Sequence, residues 1–440
     1  MKTMSPNLFQ DLCAREIVYQ TTDVSLETHL EKPITLYCGF DPTADSLHIG
    51  NLFPLLTLRR FQLAGHTPIL VLGGATGMIG DPSGKSTERN LQTPEQVNHN
   101  LIGIKAVAEK FLDFDPSKPN AAIIVNNHDF YKDMSVLTFL REVGKHFTIN
   151  HMSAKDSVKS RMEDREVGIS YTEFSYMLLQ AFDYYSLFKK YNCTLQIGAS
   201  DQWGNITAGT ELIRRKEAHS RTERDATEAH LAFGLTHPLI TRSDGQKFGK
   251  SEKGSVWLSS DKTSAYSFYQ FFIQVSDDIV MKLIRYITFV PTEELIHIED
   301  QLKASPEKKA AQLRLARELT KLVHGEEAFV RAERATQALF GTEIKELDLA
   351  TLGEVFGDAP NTQKLKTDLQ VGLPLIDLLV ETGLFQSKGA ARKEIPAGGV
   401  YLNNERITDA AYLVKENNLI AASAVVLRKG KKTYHLVRFN

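Results

Sequence analysis

Residues 33 to 240 alternate between short apolar segments and longer stretches of helical character. The apolar segments ITLYCGF, PILVLGG, AIIVNN and LQIGAS each lead into a turn and then a helical stretch. This alternation is typical of βαβ units, in which helices cover both faces of a parallel sheet. We therefore expect an α/β domain with a doubly wound, Rossmann-like parallel sheet, whose ligands bind at the carboxyl ends of the strands.

The pattern changes after this region. Amphipathic helical periodicity runs from about residue 264 to 340, and residues 341 to 372 mix charge, Gly and Pro without a sustained period. The chain has 440 residues, which at roughly 150 residues per domain predicts about three domains. We predict a catalytic domain at 1–255, an α-helical domain at 256–340, a linker at 341–372 and a small α+β domain at 373–440.

Composition and charge narrow the class of protein. Hydrophobic residues make up 42% and the net charge is −2, values of a folded globular chain without a strong overall field. The N-terminal segment lacks the apolar core of a secretory signal, and no stretch approaches the ~20 apolar residues of a spanning helix. Cys13, Cys38 and Cys193 form no metal-binding or disulfide pattern. We expect a cytoplasmic protein with reduced cysteines, no membrane partner and no protein-held metal.

The first motif runs from Cys38 to Asn51, CGFDPTADSLHIGN, directly off an apolar strand. His48 and Asn51 stand where the amides and positive dipole of a helix N-terminus can hold phosphate. An ordinary capped βα turn explains H-I-G-N equally well when the motif is taken alone.

The second motif is the loop GGATGMIGDPSGKS at 73–86. A phosphate loop of the G-x-x-x-x-G-K-[ST] type needs Gly at position 79, where this chain has Ile79. The glycines at 74, 77 and 80 also miss the dinucleotide pattern. Two interpretations remain. The segment is either a flexible loop that a nucleotide can approach closely, with Asp81, Lys85 and Arg89 as its polar groups, or a purely structural glycine turn.

Two further motifs place polar groups near the expected cleft. In the helical segment 171–188, Tyr176, Gln180 and Asp183 fall within about 60° of one another on an otherwise apolar helix. A buried Asp requires a donor, which a ligand can supply. The segment GASDQWGN at 198–205 follows a strand and offers Asp201 and Gln202, although it also fits a simple N-capped turn.

The segment Lys247-Phe-Gly-Lys-Ser251 follows the turn former SDGQ. Two lysines on a loop can neutralise charge on a leaving polyphosphate, but a lysine-bearing surface loop is the commoner case.

Taken together, H-I-G-N near the start and K-F-G-K-S near the end of one α/β region resemble the two signatures of class I aminoacyl-tRNA synthetases. The blocks YCGFDPTADSLHIG, GGATGMIGDPSGK, SDQWGNI and DGQKFGKS resemble those of the bacterial tyrosyl-tRNA synthetases within that family. The resemblance covers nearly the whole chain. It implies activation of L-tyrosine by ATP, with Mg²⁺ carried by the nucleotide, and transfer of tyrosine to the 3′ end of tRNA(Tyr) by a homodimer.

The resemblance also implies roles for individual residues. For tyrosine binding it implies Tyr37 and Asp183 at the phenol, and Asp81, Tyr176, Gln180 and Gln202 around the ammonium and neighbouring atoms. For ATP binding it implies Cys38, Gly39, Asp41, His48, Gly50, Asn51, Asp201 and Lys250. For the polyphosphate during catalysis it implies Thr43, His48, Lys85, Arg89, Lys247 and Lys250.

The signatures depart from the family pattern at three positions. Asn51 replaces the second His of the first signature, and Phe248 and Gly249 replace the Met and Ser of the second. An Asn amide still donates hydrogen bonds, so we expect activity to survive.

The last 68 residues resemble the small RNA-binding module found at the end of bacterial tyrosyl enzymes. They hold 10 Lys and Arg against 6 Asp and Glu, a net charge of +4. A phosphate-binding surface and a solvated basic tail both fit this charge. We take Lys429 and Lys431 here, and Arg214 and Arg215 in the α/β region, as candidate tRNA contacts.

Three alternatives remain at this point. A P-loop kinase or ATPase is disfavoured by Ile79, and tryptophan selection in the sister family by the Tyr37 and Asp183 pairing. The third alternative is an RNA-binding protein that uses only its C-terminal module.

Overall fold

The structure, a computed structural model, describes residues 7–83, 92–155, 158–159, 162, 168–218, 230–241, 248–251, 254–340, 344–345, 347, 349–356, 360–430 and 433–440. The chain divides into two compact units. The first comprises residues 1–259 and 276–311, and the second comprises residues 260–275 and 312–440. The domain boundaries that the sequence suggests remain predictions.

The described helices follow in chain order. They are α1 Leu8–Ala14, α2 Leu26–His29, α3 Ile49–Leu63, α4 Thr76–Ile79, α5 Pro94–Ala108, α6 His128–Tyr131, α7 Val136–Glu142, α8 Ile149–Ser153, α9 Tyr171–Tyr191, α10 Trp203–Glu217, α11 Ala265–Ile273, α12 Asp277–Ile287, α13 Thr292–Ala304, α14 Ala310–His324, α15 Glu326–Phe340, α16 Leu349–Phe356, α17 Leu375–Glu381 and α18 Lys388–Ala397. Short 3₁₀ turns cover Gly144–His146, Ser200–Gln202, Pro306–Lys308, Lys366–Leu369 and Glu416–Asn418. No helix among these described residues has the length and apolar character needed to cross a membrane.

The first unit is built on one sheet. Its strands are β1 Gln20–Thr21, β2 Thr35–Phe40, β3 Thr67–Leu72, β4 Ile123–Asn126, β5 Cys193–Ala199 and β6 Phe233–His237. They lie in the order β1-β6-β5-β2-β3-β4, with β2 to β6 parallel and β1 antiparallel at one edge. A two-stranded hairpin, β7 Lys250–Ser251 and β8 Gly254–Ser255, belongs to the same unit.

The strand order reverses direction between β2 and β5. From β2 the chain adds β3 and β4 on one side, and from β5 it adds β6 on the other. The predicted doubly wound parallel sheet is therefore confirmed, and β1 is an addition to it. In such a sheet, the point of reversal leaves a crevice at the carboxyl ends of the strands.

Helix α9 lies beside this crevice. The Ser170 hydroxyl accepts a 3.2 Å hydrogen bond from the Glu173 amide and caps the helix start, and Asn192 ends the helix in the left-handed region with φ 51°. Its apolar residues pack with those of β2 and β3; Tyr184 and Leu187 are buried in the same core cluster as Tyr37. The capped ends and this packing fix which face of α9 meets the crevice.

The second unit contains α11, most of the later helices and a C-terminal sheet. The sheet is formed by β9 Asn361–Lys364, β11 Val400–Leu402, β12 Glu405–Arg406, β14 Ala424–Lys429 and β15 Thr433–Phe439, in the order β12-β11-β14-β15-β9. The strands β10 Leu373–Pro374 and β13 Leu413–Val414 form a separate pair. Helices α17 and α18 cover the sheet and share its core through residues such as Leu378 and Ile395.

Strand β9 lies within the range that the sequence suggested as a linker. It pairs in parallel with β15, with Asn361 opposite Leu436 and Lys364 opposite Phe439. These four residues thus belong to the C-terminal sheet.

Candidate active site

A cavity of about 510 Å³ opens at the carboxyl ends of the parallel strands of the first unit. It collects residues from all the sequence blocks that precede the lysine motif. Its walls include Tyr37, Cys38, Gly39, Asp41, Thr43, His48, Gly50, Asn51, Asp81, Tyr176, Gln180, Asp183, Asp201 and Gln202. The strand-end rule of parallel sheets explains why side chains so distant in sequence meet here.

One end of the cavity pairs a buried phenol with a buried carboxyl group. Tyr37 is 1% exposed and Asp183 is 3% exposed. The Tyr37 hydroxyl has no hydrogen-bond partner among the described residues. A buried hydroxyl normally has a hydrogen-bond partner. The unpartnered Tyr37 hydroxyl therefore indicates a place where a ligand binds.

The Asp183 carboxyl group is held by two donors. The Asn127 amide donates to Oδ2 at 2.9 Å, and the Tyr131 hydroxyl donates to Oδ1 at 2.7 Å. Burial raises the pKa of this carboxyl to about 7, and the two hydrogen bonds oppose that rise. The group therefore titrates near neutral pH, where a ligand hydroxyl can donate to it.

A second carboxyl group, that of Asp41 in the loop after β2, is hydrogen-bonded to a side chain of α9. The Tyr176 hydroxyl donates to Asp41 Oδ2 at 2.8 Å, and the Thr76 hydroxyl donates to Oδ1 at 2.7 Å. Burial, followed by the charges of Asp41, Asp81 and Asp183, raises the pKa of Tyr176 well above its ordinary value. Tyr176 thus stays neutral among three carboxyl groups, which together favour a cationic ligand group.

The third carboxyl group, Asp81, lies in a network of amides. The Gln202 amide donates to Asp81 Oδ2 at 2.6 Å, and the Gln180 amide donates to Gln202 Oε1 at 3.3 Å. The Asn205 amide lies 3.2 Å from Gln180 Oε1 and 3.5 Å from Asp81 Oδ1. Asp81 is 7% exposed, so water screens its interaction with a charged group in the cavity only weakly.

The start of α3, unlike the three carboxyl groups, gives the cavity a region that favours negative charge. His48 Nδ1 accepts a 3.0 Å hydrogen bond from the Gly50 amide, and Asn51 Oδ1 accepts a 3.1 Å bond from the His48 amide. Because Nδ1 is an acceptor, the neutral ring carries its hydrogen on Nε2. A Cβ at Gly50 would meet the His48 ring at 2.7 Å, so a larger residue there would displace the ring. The Nε2 hydrogen of His48 and the positive end of the α3 dipole both favour binding of an anion.

The remaining predicted cavity residues differ in burial. Cys38 is buried, and burial raises the pKa of its thiol to about 12, so it is present as a neutral thiol. Thr43 is exposed and its carbonyl accepts from the Gln92 amide at 3.4 Å. Asp201 is half-buried at the start of the 3₁₀ turn Ser200–Gln202. Gly39 has open space where a Cβ would stand, which leaves room for a flat ligand group.

Several predicted cationic residues lie outside the described residues, namely Lys85, Arg89, Lys247 and Lys431. Lys250 belongs to β7, but its side chain is not among the described ones. The phosphate-binding roles expected of them stay predictions.

The predicted tRNA contacts that the structure describes are not among the residues that line the cavity. Arg214 and Arg215 end helix α10 and both ion-pair with Glu211, at 2.8 Å and 2.5 Å. The Arg215 guanidinium also donates to the His146 carbonyl. In the second unit, the Lys429 ammonium donates to the Leu384 carbonyl at 3.1 Å and lies 4.4 Å from the centre of the Phe385 ring. These cations have partners within the protein. The Lys429 ammonium has three N–H donors, of which the Leu384 carbonyl takes one.

Sequence reasoning missed part of the cavity wall. Asn127, Gln196, His237 and Thr76 also line it. Asn127 and His237 stand at or just beyond the carboxyl ends of β4 and β6, so the strand-end rule could have found them. Nothing in the sequence indicates that Tyr131 bonds Asp183, because that contact depends on how α6 packs against α9.

Comparison with known proteins gives two matching families. The family described as tRNA synthetases class I (W and Y) matches residues 28–341. The family described as the tyrosine–tRNA ligase SYY-like C-terminal domain matches residues 352–437.

Individual proteins are similar over most of the chain. A tyrosine–tRNA ligase of Opitutus terrae is 49% identical, covering 98% of this chain and 99% of its own length. One of Geobacillus kaustophilus is also 49% identical, covering 98% of this chain and 100% of its own length. Among solved structures, a C-terminally truncated Aspergillus nidulans mitochondrial tyrosyl-tRNA synthetase covers 76% of this chain and 94% of its own, with 29% identity and a TM-score of 0.66.

Proposed function

This chain belongs to the class I tRNA synthetases (W and Y), and on that premise we propose how its cavity activates tyrosine. Its function is that of a tyrosine–tRNA ligase, as in relatives 49% identical over 98% of the chain. The family resemblance noted in the sequence is confirmed. Its substrates are tyrosine, ATP and tRNA.

The buried pair of Tyr37 and Asp183 carries the proposal for the amino acid. The unpartnered Tyr37 hydroxyl donates to the substrate phenol oxygen, and the phenol hydrogen goes to Asp183. Phenylalanine would leave the buried Tyr37 hydroxyl without a partner and would bring no donor to Asp183, whose protein donors are Asn127 and Tyr131. Tyrosyl-tRNA synthetases are the standard example of such discrimination, with a general ratio of ~10⁵.

The amide network supports a site for the α-ammonium group. Asp81 and Asp41 supply negative charge, while Gln180 and Gln202 supply amide oxygens. With Asp183 at the phenol end and Asp81 in this network, the cavity can bind both ends of tyrosine and orient its carboxylate.

The α3 end of the cavity suits ATP. We assign the nucleotide to a surface shared by Cys38, Gly39, Asp41, His48, Gly50, Asn51, Asp201 and Lys250. His48 Nε2 and the positive end of the α3 dipole stabilise the phosphate charge, and Mg²⁺ enters with the nucleotide. Thr43, Lys85, Arg89, Lys247 and Lys250 complete the pyrophosphate site, as the sequence signatures indicate.

The reaction follows from this placement. A tyrosine carboxylate oxygen attacks the α-phosphorus of ATP, a new P–O bond forms, and the bond to the pyrophosphate oxygen breaks, giving tyrosyl-adenylate and pyrophosphate. A hydroxyl of the tRNA 3′ end then attacks the acyl carbon and releases AMP. The first step needs positioning and charge neutralisation rather than a protein nucleophile.

Exchange of labelled pyrophosphate into ATP tests this function. The purified chain should catalyse exchange that depends on tyrosine and is not supported by tryptophan or phenylalanine at equal concentration. ATP hydrolysis without amino-acid dependence would instead favour a phosphohydrolase. Exchange with tryptophan alone would assign the cavity to the other branch of the family.

We assign the acceptor end of tRNA to Arg214 and Arg215 on α10, and its backbone to the basic C-terminal module with Lys429 and Lys431. The +4 charge of residues 373–440 supports this assignment, because phosphate contacts dominate the affinity of proteins for nucleic acid. These residues, like the domain boundaries and the cytoplasmic location, remain proposals.

A homodimer is supported by an exposed apolar helix. Helix α7 buries none of its residues, and Val136 and Leu137 are 74% and 79% exposed. Such a surface is typical of a protein interface. A second copy of the chain would cover it, so Leu137→Lys should convert dimer to monomer in light scattering. Ile102→Lys on α5, 72% exposed in the wild type, is the control. A wild-type monomer would refute the dimer.

A further inference from the structure

Tyr131 contacts Asp183 from behind the cavity wall. Its hydroxyl oxygen lies 2.7 Å from Asp183 Oδ1 and 2.7 Å from the carbonyl oxygen of Leu179. Tyr131 does not line the cavity. Its influence on a bound substrate therefore passes through Asp183.

The hydroxyl has one hydrogen for two acceptors. When Asp183 is ionised, the Tyr131 hydrogen goes to the carboxylate. When Asp183 is protonated, the carboxyl hydrogen can go to the Tyr131 oxygen, and the Tyr131 hydroxyl then donates to Leu179. Tyr131 thus offers Asp183 a hydrogen bond in either protonation state.

The Tyr131 ring is held by neighbouring aromatic side chains. Its centre lies 5.6 Å from that of Phe182 in an edge-on contact and 6.3 Å from that of Phe139. The ring also packs against the core cluster that includes Phe182 and Leu178 of α9. Because the ring is packed in this way, its hydroxyl is a fixed point against which the carboxyl group is oriented.

The other oxygen of Asp183 is held separately, by the Asn127 amide at 2.9 Å. Rotation of the carboxyl group would therefore break one hydrogen bond at each oxygen. Removing the Tyr131 hydroxyl eliminates the hydrogen bond at Oδ1 and leaves this buried carboxyl oxygen without its partner.

We propose that Tyr131 is a positioning residue that sets the selection of tyrosine over phenylalanine by fixing the Asp183 carboxyl group. This inference rests on the proposed role of Asp183 and extends the specificity site to a residue outside the cavity.

The charged and titratable surroundings of Asp183 come from several elements. Tyr37 and Asp41 face it from β2 and the following loop, Tyr131 from α6, and Tyr176 from its own helix. Burial raises the pKa of Asp183 and the Tyr131 hydrogen bond lowers it. Loss of that hydroxyl should therefore move the pKa of Asp183 further upward.

Tyr131→Phe tests the proposal in the full-length chain by pyrophosphate exchange. We expect the KM for tyrosine to rise about three- to tenfold, the size of one lost hydrogen bond. The KM for ATP and kcat/KM for phenylalanine should stay within about twofold, so the tyrosine-to-phenylalanine ratio falls. The pH midpoint of kcat/KM for tyrosine should move upward.

Tyr184→Phe is the matched control. It removes a hydroxyl that donates to the Phe233 carbonyl at 2.7 Å, one residue from Asp183 on the same helix. It should lower the melting temperature while leaving the ratio and the pH midpoint in place.

Two results would overturn the inference. One is an unchanged tyrosine-to-phenylalanine ratio in Tyr131→Phe, and the other is an equal loss in Tyr184→Phe. Absence of tyrosine-dependent exchange in the wild type would instead refute the proposed function itself.

Discussion

The Tyr176 hydroxyl donates a 2.8 Å hydrogen bond to Asp41 Oδ2 across 135 positions of sequence. The bond ties α9, which bears the residues assigned to tyrosine, to the loop after β2, which is assigned to the nucleotide. Under these proposed assignments both substrates bind to one connected network, in which we expect a change at one carboxyl group to affect the orientation of the others.

Asp183→Asn should weaken recognition of the tyrosine phenol. An amide presents one acceptor oxygen where the carboxylate presents two, so with that oxygen on the Asn127 donor and the NH2 group on the Tyr131 oxygen, the substrate phenol loses an acceptor. We expect kcat/KM for tyrosine in pyrophosphate exchange to fall on the order of 10- to 100-fold. Asp129→Asn, which removes an exposed carboxylate from α6, should leave it unchanged. Equal losses in both variants would speak against a specific role for Asp183.

The same variant should change how stability depends on pH. Burial raises the pKa of Asp183 from 3.8 to about 7, so between these values the folded state binds a proton that the unfolded state lacks. The resulting stabilisation is full below the unfolded pKa and is lost as pH rises through about 7. Urea unfolding from pH 5 to 8 should therefore show wild type gaining stability over Asp183→Asn as pH falls. A pH-independent difference would contradict the raised pKa.

Tyr37→Phe should separate binding from stability. The removed hydroxyl is buried and has no partner among the described residues, so the free energy of unfolding should stay the same or rise. The KM for tyrosine should nevertheless increase about two- to tenfold, since a substrate hydrogen bond is lost. Thermal unfolding and steady-state exchange measure the two effects. A destabilised variant with normal KM would show that the hydroxyl is structural.

Asp81→Asn should weaken binding of the ammonium group selectively. Asp81 carries the charge in the network with Gln202 and Asn205. Inhibition by 3-(4-hydroxyphenyl)propionate, which lacks the amino group, should be nearly unchanged, while the KM for tyrosine should rise at least tenfold, about 1.4 kcal/mol. Equal weakening of both ligands would mean that the substitution disturbs the whole cavity.

Arg214→Gln should affect tRNA and not activation. Arg214 is exposed at the end of α10 and is paired with Glu211 at 2.8 Å. Loss of one phosphate contact should reduce the slope of log affinity for tRNA against log salt by about one. Pyrophosphate exchange should be unchanged. Lys105→Gln, another exposed cation in an ion pair, is the control. An unchanged salt slope in Arg214→Gln would remove it from the tRNA surface.

The parallel sheet and much of the cavity follow from the sequence because both obey periodic rules. Buried parallel strands read as apolar runs, and their carboxyl ends collect ligands. The polar stripe of Tyr176, Gln180 and Asp183 could be found in the same way, since helical geometry alone places the three on one face.

Other features depend on tertiary packing and leave no such pattern. Strand β1 is two residues long and forms because Gln20 and Thr21 meet β6, which local sequence does not encode. The Tyr131 contact requires the packing of α6 on α9, and the protonation of Asp183 depends on burial that only the folded chain supplies.

Strand β9 affects how the protein can be dissected. Through its parallel pairing with β15 it covers an edge whose residues Leu436, Val437 and Phe439 are almost entirely buried. A fragment starting at residue 373 would expose that edge to self-association. Fragments for RNA-binding work should therefore start upstream of Asn361, and poor behaviour of shorter ones would reflect an open sheet rather than a weak RNA surface.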